Sequence, residues 1–199
     1  MPTDAVWGPP AAEVETLTTG AANIVAAAES EDWEAMADTA VEMSAAWATY
    51  RADDVPDLLE YQMSEALNTL AGAVDARDPA EIRQAAMDVE RAGLDLQLRR
   101  REPAEIDLAR FDLRARQLLV DVEADDPGAV TGDVAALEWI RDRVAHTLDA
   151  STAEQIEAVL GDLRDAADAE DLSAANDAAT RLRDLLAADG RVLAAVAAE

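Results

Sequence analysis

The sequence predicts an all-α protein of four successive αα-hairpins, about eight helices, packed as antiparallel helical bundles. Three observations carry that expectation. Half the residues are hydrophobic and only 4% are aromatic; the apolar share is mostly Ala, Leu and Val, and Ala, Leu, Glu and Arg are strong helix formers. Apolar residues recur at three- and four-residue spacing along nearly the whole chain, the period of a helix with one buried face. Acidic breaks at Asp32, Asp78, Asp126 and Asp171 recur at steps of 46, 48 and 45 residues, preceded by similar stretches, NIVAAAESED, NTLAGAVDARD and LLVDVEADD. That period also fits an α-solenoid of the HEAT or armadillo kind, which stands as the alternative, although no consensus residue of those repeats is present. Short connections favour antiparallel neighbours and hence bundles.

Helix 1 starts after Pro9-Pro10 and runs to about Glu29, with Val14, Leu17, Ala21, Ile24, Val25 and Ala28 on one face. Ser30 reads as the N-cap of helix 2, with Glu31 and Asp32 in its first turn, where carboxylates suit the helix dipole. Helix 2 carries the heaviest stripe, Trp33, Met36, Ala40, Met43, Trp47 and Tyr50. Asp53-Asp54 and Pro56 restart the chain as helix 3, with Leu59, Met63, Ala66, Leu70 and Val74. Asp78-Pro79-Ala80-Glu81 opens helix 4 with a cap, a proline at the first helical position and a glutamate three residues on. Its core face, Ile82, Ala85, Ala86, Val89, Ala92, Gly93 and Leu96, is small enough to let a partner helix come close.

Helix 5, Pro103–Asp126, has two apolar faces. Leu108, Phe111, Ala115, Leu118, Leu119 and Val122 form one, and Ile106, Leu113 and Val120 the other. Charged residues fill the flanks: Asp112 and Arg116 on one, four apart and placed to pair along the helix, Arg114 and Asp121 on the other. Asp126-Pro127-Gly128 starts helix 6, with Val134, Leu137, Ile140, Val144 and Leu148 in front and Trp139 and His146 behind. Ser151-Thr152-Ala153-Glu154 reads as the capping box of helix 7, with Ile156, Val159, Leu160 and Leu163. Asp171 opens helix 8, with Leu172, Ala175, Ala179, Leu182, Leu185 and Leu186; Asp189-Gly190 ends it, and Val192–Glu199 forms a short helical tail. Residues 1–10 read as a Pro-rich leader, 11–101 as hairpins 1 and 2, 102–150 as the central hairpin 3, and 151–199 as hairpin 4 with the tail; one continuous domain is the alternative.

Second apolar stripes on helices 4, 5 and 6 need a cover, supplied by other helices of the chain or by a second molecule. Their residues are the interface candidates: Met87, Leu94, Leu98, Ile106, Leu113, Val120 and Trp139.

Forty-three acidic residues stand against 16 basic ones, all Arg, for a formal net charge of −27. Such a surface repels phosphate backbones and anionic lipid heads, so no nucleic-acid partner is expected. The one basic cluster, Arg99-Arg100-Arg101, falls at the end of helix 4, where cations suit the dipole. With no Cys, disulfides, Cys-ligated metals and thiol catalysis are excluded. No run of about eighteen apolar residues occurs, so no membrane insertion is expected. The start, MPTDAVWGPP, lacks the basic and apolar regions of a signal peptide, which fits a cytoplasmic chain or an exported one whose signal has been trimmed.

No Ser–His–Asp order, nucleophile elbow, P-loop or Gly-rich fingerprint occurs, and the reading is a non-enzyme. The segment Asp121–Gly128 lacks the Gly at the sixth and the Glu at the twelfth position of a calcium loop, where Asp126 and Gly132 stand. The single His has Arg143 three residues before it, so the Glu-x-x-His motif of di-iron bundles is absent. Met36 and Met43, with Met63 on the next helix, form a thioether stripe that could hold copper(I). Arg101-Glu102-Pro103-Ala104-Glu105 is similar to the Arg-Glu-x-x-Glu motif of membrane iron permeases, which implies iron handling.

Residues 56–148 resemble the cytochrome b562 family of four-helix haem bundles. PDLLEYQMSEALNTLAGAVDARD supplies Met63, and EWIRDRVAHTL supplies His146, at positions like those of the family's axial ligands. The resemblance implies haem as ligand, although Met63 lies on the main face of its helix and His146 on the back of its own. Function is therefore expected to be binding or assembly, with a protein partner or a second copy; the alternative is a bundle binding haem or a metal ion, iron or copper.

Overall fold

The computed structural model describes residues 11–52, 55–98 and 100–188, and of Glu29 the backbone alone. The expected leader, Asp53-Asp54, Arg99, the Asp189-Gly190 stop and the tail lie outside the described residues. Those residues hold eight α-helices and no strand: α1 Ala12–Glu29, α2 Trp33–Tyr50, α3 Asp57–Ala76, α4 Pro79–Gln97, α5 Pro103–Glu123, α6 Pro127–Val144, α7 Ala150–Asp168 and α8 Leu172–Ala188. The chain is all-α, built from helical hairpins. None of these helices is long and apolar enough to cross a membrane.

The contacts divide the chain between Glu102 and Pro103 into two units, α1–α4 and α5–α8. Within the first, α1 packs on α2, α2 on α3, α3 on α4, and α4 returns to α1. Within the second, α5, α6, α7 and α8 close the same ring. Each unit is an up-down-up-down four-helix bundle with its own core. Met36, Met43, Met63, Leu70, Ile82 and Val89 are among the residues filling the first; Phe111, Leu118, Leu137, Ile156, Leu163 and Leu182 are among those filling the second. The buried residues follow the helical stripes read from the sequence.

One turn geometry reverses the chain in all four hairpins. Glu31, Arg77, Asp125 and Glu170 have φ of 55°, 56°, 58° and 52°, the left-handed region. Each of these residues donates its N–H to the carbonyl three residues back. The following Asp donates to the carbonyl five back, as in Asp32 to Ala27 (3.1 Å), Asp78 to Ala73 (3.1 Å), Asp126 to Asp121 (3.0 Å) and Asp171 to Ala166 (2.9 Å). This double bond satisfies the orphan carbonyls at the end of one helix. The same Asp then caps the next helix with its carboxylate: Asp32 accepts the Ala35 N–H, Asp78 those of Ala80 and Glu81, Asp126 that of Ala129 and Asp171 that of Ala174.

Two expected caps are corrected. Ser30 ends α1, its hydroxyl donating to the Ala27 carbonyl, because the left-handed turn at Glu31 places Asp32 at the entry to α2. Asp149, rather than Ser151, caps α7. It accepts the N–H groups of Ser151 and Thr152 at 2.9 and 3.0 Å, and the Thr152 hydroxyl at 2.7 Å. A charged carboxylate is the stronger acceptor at a helix N-terminus.

In the first bundle α1 sits close to both neighbours. A Cβ on Gly93 of α4 would come within 2.5 Å of Thr18 Cγ2, and one on Gly20 within 2.6 Å of Met43 Cγ. The expected close partner of α4 is thus α1. Trp47 Nε1 of α2 donates to Ser64 of α3 at 2.9 Å, so the indole is buried with its polar atom paired.

Three substitutions test these contacts and the turn geometry, each measurable by urea unfolding. Gly93→Val should cost about 1–3 kcal/mol by overpacking, because Thr18 is β-branched and its hydroxyl is tied to the Val14 carbonyl. Gly20→Ala should be milder, since the Met43 side chain can yield. Glu170→Gly should stabilise by about 0.5–1 kcal/mol, relieving a left-handed residue that has a Cβ.

Candidate functional site

On the first bundle, α3 and α4 leave a groove of about 230 Å³ between their outer flanks. Tyr61, Gln62, Glu65, Ala66 and Thr69 line it from α3, and Asp88, Arg91, Ala92 and Asp95 from α4. Two alanines at facing positions leave room for it. The walls are acidic: Arg91 is the one basic residue, and its Nη1 is already 2.6 Å from Asp88. Tyr61 and Asp95 enter from opposite helices. Leu58 lies three residues before Tyr61 and Leu98 three after Asp95, so both fall at the same end of the groove. Leu58 and Tyr61 are each 66% exposed and Leu98 43%. That end is therefore a small apolar lip on an acidic channel.

On the second bundle a polar seam joins α5 to α6. Asp107, Arg110, Arg114, Gln117 and Asp121 follow one another at three- and four-residue steps along one flank of α5. Asp107 and Asp133 are 4% and 3% exposed, so each needs a partner. Arg143 of α6 reaches Asp107 Oδ2 with Nε at 2.8 Å and Nη2 at 2.6 Å, and Arg110 approaches Oδ1 at 3.4 Å. Arg114 donates to Asp133 Oδ1 at 2.7 Å, and Gln117 donates its amide to Asp121 at 3.0 Å. Burial pushes the Asp133 carboxyl up to about 7, helped by its hydrogen bond with Asp121 and opposed by Arg114. A carboxyl raised in this way favours the fold below its usual value of 3.8, and that contribution is lost as pH rises through about 7.

The expected interface residues separate. Met87, Leu94, Ile106 and Leu113 are buried, Val120 is half-buried, and Leu98 and Trp139 are exposed. The Arg143 guanidinium lies over the Trp139 ring, 4.7 Å from its centroid. Met36, Met43 and Met63 are fully buried and share the first bundle's core. His146 is exposed in the turn after α6, in the other unit. The four helices of residues 56–148 are thus shared between two bundles, α3 and α4 in one, α5 and α6 in the other. Of Arg101-Glu102-Pro103-Ala104-Glu105, Arg101 is buried and bonded to Gln97 Oε1 at 3.1 Å, while Glu102 and Glu105 are exposed. Asp112 and Arg116 pair along α5 at 3.0 Å as their spacing indicates.

Sequence reasoning missed Asp133, and a signal was present: it lies four residues before Leu137 and seven before Ile140, on the edge of the core stripe. The groove carried no such signal, since its alanines look like any others.

Fold and surface define a class, a tandem of two four-helix bundles with a closed polar seam and an open acidic groove. No protein-family model, curated protein or solved structure matches the chain.

Arg143→Met should lower stability by about 1–3 kcal/mol, a buried pair's loss discounted for the partial exposure of the Arg head. It leaves the buried Asp107 carboxylate with Arg110 alone, at 3.4 Å. Adding Asp107→Leu should recover most of that loss, and urea unfolding of the single and double variants measures both.

Proposed function

We propose that this is a non-catalytic binding protein that takes up a basic amphipathic segment of a partner protein in the α3–α4 groove. The observation that supports the reading is the clustering of Leu58, Tyr61 and Leu98, three of five large apolar side chains exposed among the described residues, at one end of a channel walled by Glu65, Asp88 and Asp95. Apolar side chains of the partner would cover the lip, and its Lys or Arg residues would meet the walls. A second copy of this chain suits the groove poorly, because a net charge of −27 repels its like.

The test uses a synthetic helical peptide of Leu and Lys heptads as probe, followed by fluorescence anisotropy at physiological salt. Any cationic peptide gains affinity from the overall charge, so the charge-neutral variant Leu58→Ser/Tyr61→Ser is decisive. Both residues are exposed, and circular dichroism should show an intact fold. The variant should bind about ten-fold more weakly, a difference of about 1.4 kcal/mol. Equal binding by the variant and the wild type would refute the groove as the site.

A further inference from the structure

We propose that Arg91 decides where along the α3–α4 groove a partner's cations can sit. It is a built-in ligand for Asp88 that closes the far end of the groove and leaves the end beside the lip open. This rests on the reading of the groove as the site of a basic segment. The α4 wall presents Asp88, Arg91 and Asp95 at steps of three and four residues. Along the helix axis Asp95 lies about 4–5 Å from Leu98 at the lip, and Asp88 about 15 Å from it. Arg91 stands between the two acids. Side chains on a helix lean over the turn that precedes them, and for Arg91 that turn holds Asp88. Arg91 Nη1 is 2.6 Å from Asp88 Oδ1, so the guanidinium is directed away from the lip.

The two side chains are 40% and 36% exposed, and a pair of that kind contributes little to stability. Its effect on an arriving cation is larger than its effect on the fold. A partner's Lys or Arg at Asp88 must displace the guanidinium. An Arg cannot shed its charge, so the displaced group stays tethered to the same wall and repels the newcomer. Specificity of this kind comes from a repulsive element set among attractive ones. A cation one turn from the lip meets Asp95 and, from α3, the exposed Glu65, one turn beyond Tyr61. It leaves the Asp88–Arg91 pair in place. The favoured partner is therefore a segment whose basic residues lie within about one turn of its apolar anchor, and not one with cations spread along its length.

The probes are two helical peptides of equal length and charge. Each has a Leu cluster at one end and a pair of Lys, placed one turn from the cluster in the first peptide and three turns from it in the second. Fluorescence anisotropy with the full-length protein at physiological salt measures both. Wild type should prefer the first by about three- to five-fold. Arg91→Gln should bind the second as well as the first. Arg51→Gln makes the same change of charge at the exposed end of α2 and should keep the wild-type preference. Equal binding of the two peptides by wild type, or a preference that survives in Arg91→Gln, would overturn the role of Arg91. The Leu58→Ser/Tyr61→Ser variant tests the underlying reading separately. Weaker binding of both peptides by that variant keeps the groove as the site even where the preference fails, and unchanged binding removes both ideas.

Discussion

The four hairpin turns govern everything built on them. In each, one left-handed residue and one Asp finish a helix and start its successor, with no intervening loop. A left-handed residue carrying a Cβ costs about 1 kcal/mol, and a capping carboxylate contributes about as much in return. The larger effect is geometric. A turn this short forces the two helices to run antiparallel in contact and fixes which residues face each other. Arg114 meets Asp133 and Arg143 meets Asp107 across a single hairpin because the turn at Asp125–Asp126 sets that register.

The two bundles share a ring topology and fill it with different chemistry. The first is drawn in by small residues and soft or aromatic ones: Gly93 against Thr18, Gly20 against Met43, and Trp47 bonded to Ser64. The second has an Arg–carboxylate pair at every helix contact of its ring. Arg114–Asp133 joins α5 to α6, Arg141–Glu157 joins α6 to α7, Arg181–Asp162 joins α7 to α8, and Arg183–Asp112 joins α8 to α5. The exposed pairs, Arg141–Glu157 and Arg181–Asp162, contribute little each, so the apolar core holds the bundle and the pairs select its register. Acids outnumber Arg 43 to 16, so placing Arg between helices leaves a surplus of carboxylates facing outward. The acidic groove on the first bundle is where that surplus meets exposed apolar side chains.

Periodicity and the recurring Asp residues made the helices, their hairpin pairing and most core positions legible in the sequence. Ser30 and Ser151 were misread because a hydroxyl and a carboxylate both suit a cap, and only the backbone conformation at Glu31 and the reach of Asp149 decide between them. Half of the polar seam was visible as Arg114 and Asp121 on one flank of α5. The other half, Asp133, was hidden because one acid among so many carries no signal until packing buries it. The groove depends on which face of α3 lies against which face of α4, and a one-dimensional pattern does not hold that information. Met63 and His146 matched a haem bundle in spacing, but spacing cannot say which helices share a bundle.

The hairpin geometry is tested most directly by residue-resolved hydrogen exchange at the four turns. The amides of Asp32, Asp78, Asp126 and Asp171 donate to carbonyls five residues back, and they should exchange as slowly as amides within the adjoining helices. Exchange at those four amides as fast as in an open loop would contradict the account.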